Sequence, residues 1–220
     1  MRIVCLSFDD GTIYDKRFIE LLNKYNLKAT LNLNSGLKDF IWYFDGKPIR
    51  RLDLKENKHL YDGHEVASHS LTHPYFSSLG KKEIIKEVKT DIDNLTFIFE
   101  REIVGFAFPF HDQTEDNIKT VYENIKLEYI RYSYLTNEYL PKDRYHIPLN
   151  ALYDDEDIYD RLEQFKKNDL ENSLFVIAGH AYEFEMKNDW DKIEHLLIYL
   201  KDNKEITVLT MKDAVKKIFG

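Results

Sequence analysis

Arg2-Ile3-Val4-Cys5-Leu6-Ser7-Phe8-Asp9-Asp10-Gly11-Thr12 opens the chain as an apolar run that stops on two adjacent carboxylates and a glycine. A short apolar run closed by a turn signal reads as a buried strand. From Asp15 to Tyr25 the spacing changes to that of an amphipathic helix. The same alternation then recurs. Strands are predicted over Ala29–Asn34, His64–Ser70, Gly105–Phe110, Glu128–Tyr134, Tyr145–Ala151, Ser173–His180 and Ile206–Thr210, and helices over Lys81–Phe99, Glu115–Ile125, Asp155–Lys167 and Asp189–Leu200. Strand–helix alternation of this kind places a parallel sheet inside a layer of helices. Eight candidate strands in 220 residues favour a distorted (β/α) barrel of seven or eight mostly parallel strands over an open doubly wound sheet. No repeat, low-complexity tract or linker divides residues 1–220, so one domain is expected. Its one irregular piece is an inserted aromatic hairpin at about 36–53, with Phe40, Trp42, Tyr43 and Phe44 before the turn signal Asp45-Gly46.

Composition narrows the function classes. With 31 Lys and Arg against 39 Asp and Glu, the formal charge is −8, which argues against a nucleic-acid partner needing clustered cations. The single cysteine, Cys5, excludes a disulfide within the chain and reads as a small buried hydrophobe. No run approaches the roughly 18 apolar residues of a membrane span, and Ile3–Leu6 is too short for a signal-peptide core. A cytoplasmic protein is expected.

Polar clusters fall where the predicted strands end. Asp9-Asp10 close the first, His69-Ser70-Leu71-Thr72-His73 the third, Phe106-Ala107-Phe108-Pro109-Phe110 the fourth, and Val176-Ile177-Ala178-Gly179-His180 the seventh. Each has an ordinary reading by itself: an Asx turn, a pair of packing histidines, a strand broken by proline, a histidine at a core edge. Pro74 disfavours a helical His73, so the two histidines belong on a strand-to-helix loop. Together the clusters occupy the C-terminal ends of parallel strands, the face where barrel enzymes build their sites. An aspartate and two histidines with one open position form the ligand set of a catalytic zinc. A further carboxylate and histidine supply a base and an acid, which describes a metal-assisted hydrolase.

In these residues the chain resembles the polysaccharide deacetylases with the NodB homology domain, carbohydrate esterase family 4. The family's ordered motifs, T-F-D-D-G, H-[ST]-x-x-H, R-x-P-[FY] and an apolar strand ending in His, stand here as Ser7–Gly11, His69–His73, Ala107–Phe110 and Phe175–His180. The resemblance spans roughly residues 1 to 185. It implies a deformed βα barrel that removes an N-acetyl group from an amino sugar or short oligosaccharide. It further implies that Asp10, His69 and His73 bind one divalent metal, zinc first, with Co2+, Ni2+, Mn2+ or Fe2+ as alternatives. Asp9 would then be the general base, His180 would protonate the departing amine, and the N–H of Phe110, after Pro109, would help hold the oxyanion.

Two departures from the family stand out. Ala107 occupies the place of the arginine expected to orient the catalytic Asp, and no tryptophan of a fourth motif lies between Arg131 and Asp157. Arg131, on the next predicted strand, either supplies the missing guanidinium to Asp9 or faces outwards to a surface acid. The carboxylate that orients His180 is one of Asp154, Asp155, Asp157 and Glu183. Trp42 on the insert either lines a substrate groove or packs the hairpin onto the barrel. Two further readings compete with the N-deacetylase: a related barrel amidohydrolase acting on a non-sugar C–N bond, and a non-catalytic carbohydrate-binding homologue. The intact Asp9, Asp10, His69, His73 and His180 weigh against the latter.

Overall fold

The computed structural model describes all residues from 1 to 220. The chain runs β1 (Arg2–Asp9), α1 (Asp15–Lys24), β2 (Thr30–Leu33), β3 (Ile41–Phe44), β4 (Lys47–Arg50), β5 (Glu65–Ser68), α2 (Lys81–Phe99), β6 (Gly105–Ala107), α3 (Glu115–Asn124), β7 (Tyr129–Leu135), β8 (Ile147–Leu149), β9 (Ala151–Leu152), α4 (Ile158–Lys166), β10 (Ser173–His180), α5 (Ala181–Met186), α6 (Trp190–Asp202), β11 (Thr207–Leu209) and α7 (Met211–Phe219). The main sheet is parallel, in the order β8-β7-β6-β5-β2-β1-β10-β9, and it curls into a nearly closed barrel with the helices outside. β1 is its axis. It pairs with β10 along its whole length, with β11 at Ile3–Cys5 and with β2 at Ser7–Asp9. No helix is long and apolar enough to cross a membrane.

The strand predicted over Tyr145–Ala151 is two short strands, because Asn150 between them takes over the ladder. Its N–H donates to the Val176 carbonyl at 2.8 Å, and its Oδ1 accepts the Val176 N–H at 2.9 Å. Its Nδ2 donates to the carbonyls of Thr136 and Glu138, so one buried amide ties the ends of the sheet together. α5 and α7 add to the helices read from the sequence. The signal for α7 is Thr210, whose hydroxyl caps the Asp213 N–H at 3.2 Å, followed by Met211, Ala214 and Val215 facing the barrel.

The insert forms the expected hairpin. β3 and β4 pair antiparallel across Asp45 and Gly46, both left-handed at φ +47° and +74°, which is the turn an Asp-Gly pair favours. Its outgoing arm is stitched to the loop after β1. Thr12 and Arg51 form an antiparallel bridge, flanked by Ile13 N–H to Arg50 O at 3.1 Å and Leu52 N–H to Gly11 O at 2.9 Å.

Candidate active site

Strand alternation decides which side chains meet. In β1, Val4, Leu6 and Phe8 pack into the helix layer, while Ile3 and Cys5 fill the barrel interior. Period two therefore turns Ser7 and Asp9 inwards, with Asp9 at the C-terminal mouth. Leu174, Val176 and Ala178 set the same parity for His180 in β10, Ala67 sets it for His69 after β5, and Tyr129 sets it for Arg131 in β7. Asp9, His69, Arg131 and His180 share a cavity of about 560 Å3, and loops carry Asp10, His73 and Phe110 to it.

Asp9 is buried and held from two sides. Arg131 Nη2 donates to both of its carboxylate oxygens at 2.7 Å, and Asn32 Nδ2 donates to Oδ1 at 2.7 Å. Arg131 is 1% exposed. It faces inwards because it shares the parity of Tyr129, while Ile130 joins the helix layer. In the parallel register Arg131 lies directly beside Ala107. The arginine missing from the third motif is thus supplied from the neighbouring strand at the same height, and the small Ala107 leaves space beside it.

Asp10 begins the turn out of β1 with φ +87°, followed by Gly11 at +65°. Backbone held in this region by a non-glycine residue is a mark of functional loops. Ser70 at +68° and His73 at +55° repeat it in the loop after β5. These turns bring donor atoms of Asp10, His69 and His73 within 4.8 Å of one another. His69 Nδ1 lies 2.8 Å from the Ala107 carbonyl, which fixes the ring proton on Nδ1 and leaves the Nε2 lone pair towards the site. Burial pushes the pKa of His69 well below the ordinary imidazole value and lowers that of His73, so both are in the neutral, ligating form. Burial would raise Asp10, but the Arg51 guanidinium and the His180 imidazolium outweigh it and hold the carboxyl below its usual range. A hard oxygen and two imidazole nitrogens, deprotonated and convergent, fit a divalent transition metal.

Arg51 gives no signal in the sequence. Its Nη1 donates to Asp10 Oδ1 at 2.9 Å, to the Asp10 carbonyl and to Asn34 Oδ1 at 2.8 Å. It reaches Asp10 through the bridge to Thr12, from 41 residues further along the chain, so no local spacing announces it.

His180 ends β10 and caps α5. Its Nδ1 lies 3.3 Å from Glu183 Oε2, while its Nε2 lies 3.8 Å from Asp10 Oδ2. Burial alone would lower its pKa, but the Glu183 hydrogen bond and the Asp10 charge lift it to about 9. Glu183 is therefore the partner acid. Asp154 is taken by Lys187, Asp155 by Arg161 and the Leu152 N–H, and Asp157 makes no side-chain cap. The discriminating feature is position: Glu183 is three residues into the helix, where its carboxylate returns to the His180 N–H at 3.2 Å.

Pro109 is buried, and Phe110 follows it at φ +55° with an N–H that donates to no protein acceptor. The Phe110 ring stacks on Tyr75 at 4.0 Å and meets His73 at 4.5 Å. Across the insert, Trp42 lies under Arg51, 4.6 Å from the guanidinium carbon, and edge-on to Tyr182 at 5.4 Å. Between Arg131 and Asp157, the stretch without a fourth-motif tryptophan, Ser133, Leu149 and Leu152 line the cavity.

The family described as Polysaccharide deacetylase matches residues 1–130. The chain belongs to the polysaccharide deacetylase family. No curated protein matches it. The fold of this deacetylase-family chain recurs in the Xyl-CE4 domain of a multidomain xylanase from the hindgut metagenome of Trinervitermes trinervoides, with TM-score 0.65 and 17% identity over 98% of this chain and 90% of that one. A family 4 acetyl xylan esterase from Clostridium thermocellum, in complex with a cobalt ion, gives 0.62 and 16% over 98% and 91%. A CE4 family pseudoenzyme from Bacillus anthracis gives 0.62 and 16% over 97% and 65%. At these identities the likeness carries the barrel fold, and the polysaccharide deacetylase assignment rests on the family match.

Proposed function

We propose that this polysaccharide deacetylase is a metal-dependent hydrolase that removes N-acetyl groups from an amino sugar or short oligosaccharide. Asp10, His69 and His73 hold one divalent cation, with Zn2+ the first choice and Co2+, Ni2+, Mn2+ and Fe2+ as alternatives. Such a cation supplies Lewis acidity, polarising an amide carbonyl and lowering the pKa of water from about 15.7 towards 7. The observation that carries the reading is the buried Asp9, clamped by Arg131 and Asn32 beside two neutral imidazoles.

Asp9 takes the proton of the attacking water. Its Oδ1 is engaged by Asn32 and Arg131, whereas Oδ2 accepts from Arg131 and faces His69 Nε2 at 3.8 Å, so Oδ2 is the basic oxygen. The Phe110 N–H, set by Pro109, donates to the oxyanion as the carbonyl becomes tetrahedral. As the C–N bond breaks, His180, held through Nδ1 by Glu183, gives its Nε2 proton to the leaving amine. Acetate and the free amino sugar result. Trp42 forms one wall for the sugar, where its apolar C–H face packs against an aromatic plane.

Acetate release from N-acetylated chito-oligosaccharides, compared with O-acetylated xylan and a panel of small amides, tests this reading. It predicts release from the amino sugars, lost on chelation and restored by Zn2+. Turnover of the small amides alone would replace it with a non-sugar amidohydrolase.

A further inference from the structure

Arg51 is unusual among the charged groups at the cavity because the insert, and no barrel strand, brings it in. Like Arg131, it has a protein partner at only one of its two terminal nitrogens. Nη1 is fixed by Asp10 and Asn34, and the guanidinium is pinned flat over Trp42. Nη2 donates to no protein acceptor, although Arg51 lines the cavity and its side chain is only 5% exposed. A guanidinium locked by three acceptors and an indole cannot swing out to water for its remaining bonds. It presents a fixed, partly desolvated N–H edge to whatever fills the cavity.

Charge adds an independent reason. Asp9, Asp10 and Glu183 are three carboxylates facing the two guanidinium groups of Arg51 and Arg131. A dication at the ligand set therefore leaves the loaded site net positive. A neutral N-acetyl sugar does nothing to balance this excess. Resting on the deacetylase reading above, we propose that Arg51 Nη2 is a recognition site for a substrate carboxylate, and that the chain prefers N-acetylated saccharides bearing an acid group over neutral ones. The carboxylate sits on the reacting ring or on its neighbour, and either would form a charge-assisted hydrogen bond to Arg51.

Binding without turnover tests this in zinc-loaded H180N by calorimetry. The probes are tetra-N-acetylchitotetraose, a hyaluronan tetrasaccharide with its acid on the neighbouring ring, and an N-acetylmuramic acid disaccharide with its acid on the acetylated ring. At least one acidic probe is expected to bind about tenfold tighter than the neutral one, the worth of one charge-assisted hydrogen bond. In H180N/R51Q that advantage should shrink below about twofold, and in H180N/R51K, which keeps the charge and loses the fork, it should be intermediate. If neither acidic probe binds better than the neutral one, the proposal is overturned without any change at Arg51. An undiminished advantage in R51Q overturns it too, leaving Arg51 as the partner of Asp10 alone; if R51Q fails to hold zinc, an undiminished advantage in R51K does the same. Acetate release by the wild-type protein is read separately. No release from any probe overturns the proposed function, whereas the calorimetric comparison stands on binding.

Discussion

Asp9 and Arg131 form a pair whose members cannot be removed independently. Asp9→Asn removes the base and is expected to slow acetate release by roughly 100- to 10,000-fold. It also leaves the 1%-exposed Arg131 without a counter-charge, so urea titration should show a stability loss of about 3–5 kcal/mol. Metal content, read by elemental analysis, should stay near wild type in that variant and fall in His69→Ala and His73→Ala. Because Ala107 and Arg131 are register partners, the arginine is portable. Arg131→Ala should lose stability and at least about tenfold in activity, and adding Ala107→Arg should recover part of both. Full activity in Arg131→Ala would show that Asp9 needs no guanidinium. At this scale legibility follows distance along the chain. Asp9-Asp10 and His69–His73 are local patterns, whereas Arg131 stays open between Asp9 and a surface acid until the strand's parity is seen in the fold. Glu183 is one acid among four until the helix start at Ala181 singles it out. Arg51 is invisible because its approach to Asp10 depends on the length and path of a hairpin.

The insert is the element whose purpose the sequence leaves divided between packing and substrate binding. Of the residues in β3 and β4 only Ile49 is buried, and the hairpin is further held by Phe44, edge-on to Tyr182 at 5.8 Å, and by the bridge to Thr12. Trp42 instead contacts Arg51 and Tyr182 at the cavity. Trp42→Ala should therefore raise KM several-fold for saccharides, with a melting temperature within a few degrees of wild type. A large fall in melting temperature with unchanged KM would assign the indole to packing. The opposite outcome is expected at Asn150, which is 2% exposed and joins β8 and β9 to β10. Asn150→Ala leaves the Val176 N–H unpaired, at a cost of about 1–3 kcal/mol in chemical denaturation. The apolar pattern over this stretch predicts a single strand. The break comes from a side chain that imitates the backbone, which hydrophobic periodicity does not register.

For the molecule as a whole, alternation along the strands does most of the assembly, so the barrel is readable from sequence while its closure and its loops are less so. It puts aliphatic residues on both faces of β1 and then, at the last inward position, the carboxylate that the site needs. Stability is tied to pH below the barrel mouth through His64, which is 4% exposed. Its Nδ1 accepts the Ala29 N–H at 3.3 Å, its Nε2 pairs with Asn23 Oδ1 at 3.2 Å, and burial lowers its pKa from 6.5 to about 4. The unfolded chain therefore binds the extra proton first. His64's contribution is complete above pH 6.5 and fades as pH falls towards 4, at up to about 1.4 kcal/mol per pH unit. Stability measured against pH should lose that portion of its slope in His64→Gln. The central claim is that Asp10, His69 and His73 hold the ion on which deacetylation by this chain depends. Acetate release from tetra-N-acetylchitotetraose, followed while Zn2+ is returned to chelated protein, tests it most directly. The predicted curve starts at zero and saturates at one zinc per chain; acetate release that survives chelation, or none at full zinc occupancy, would contradict it.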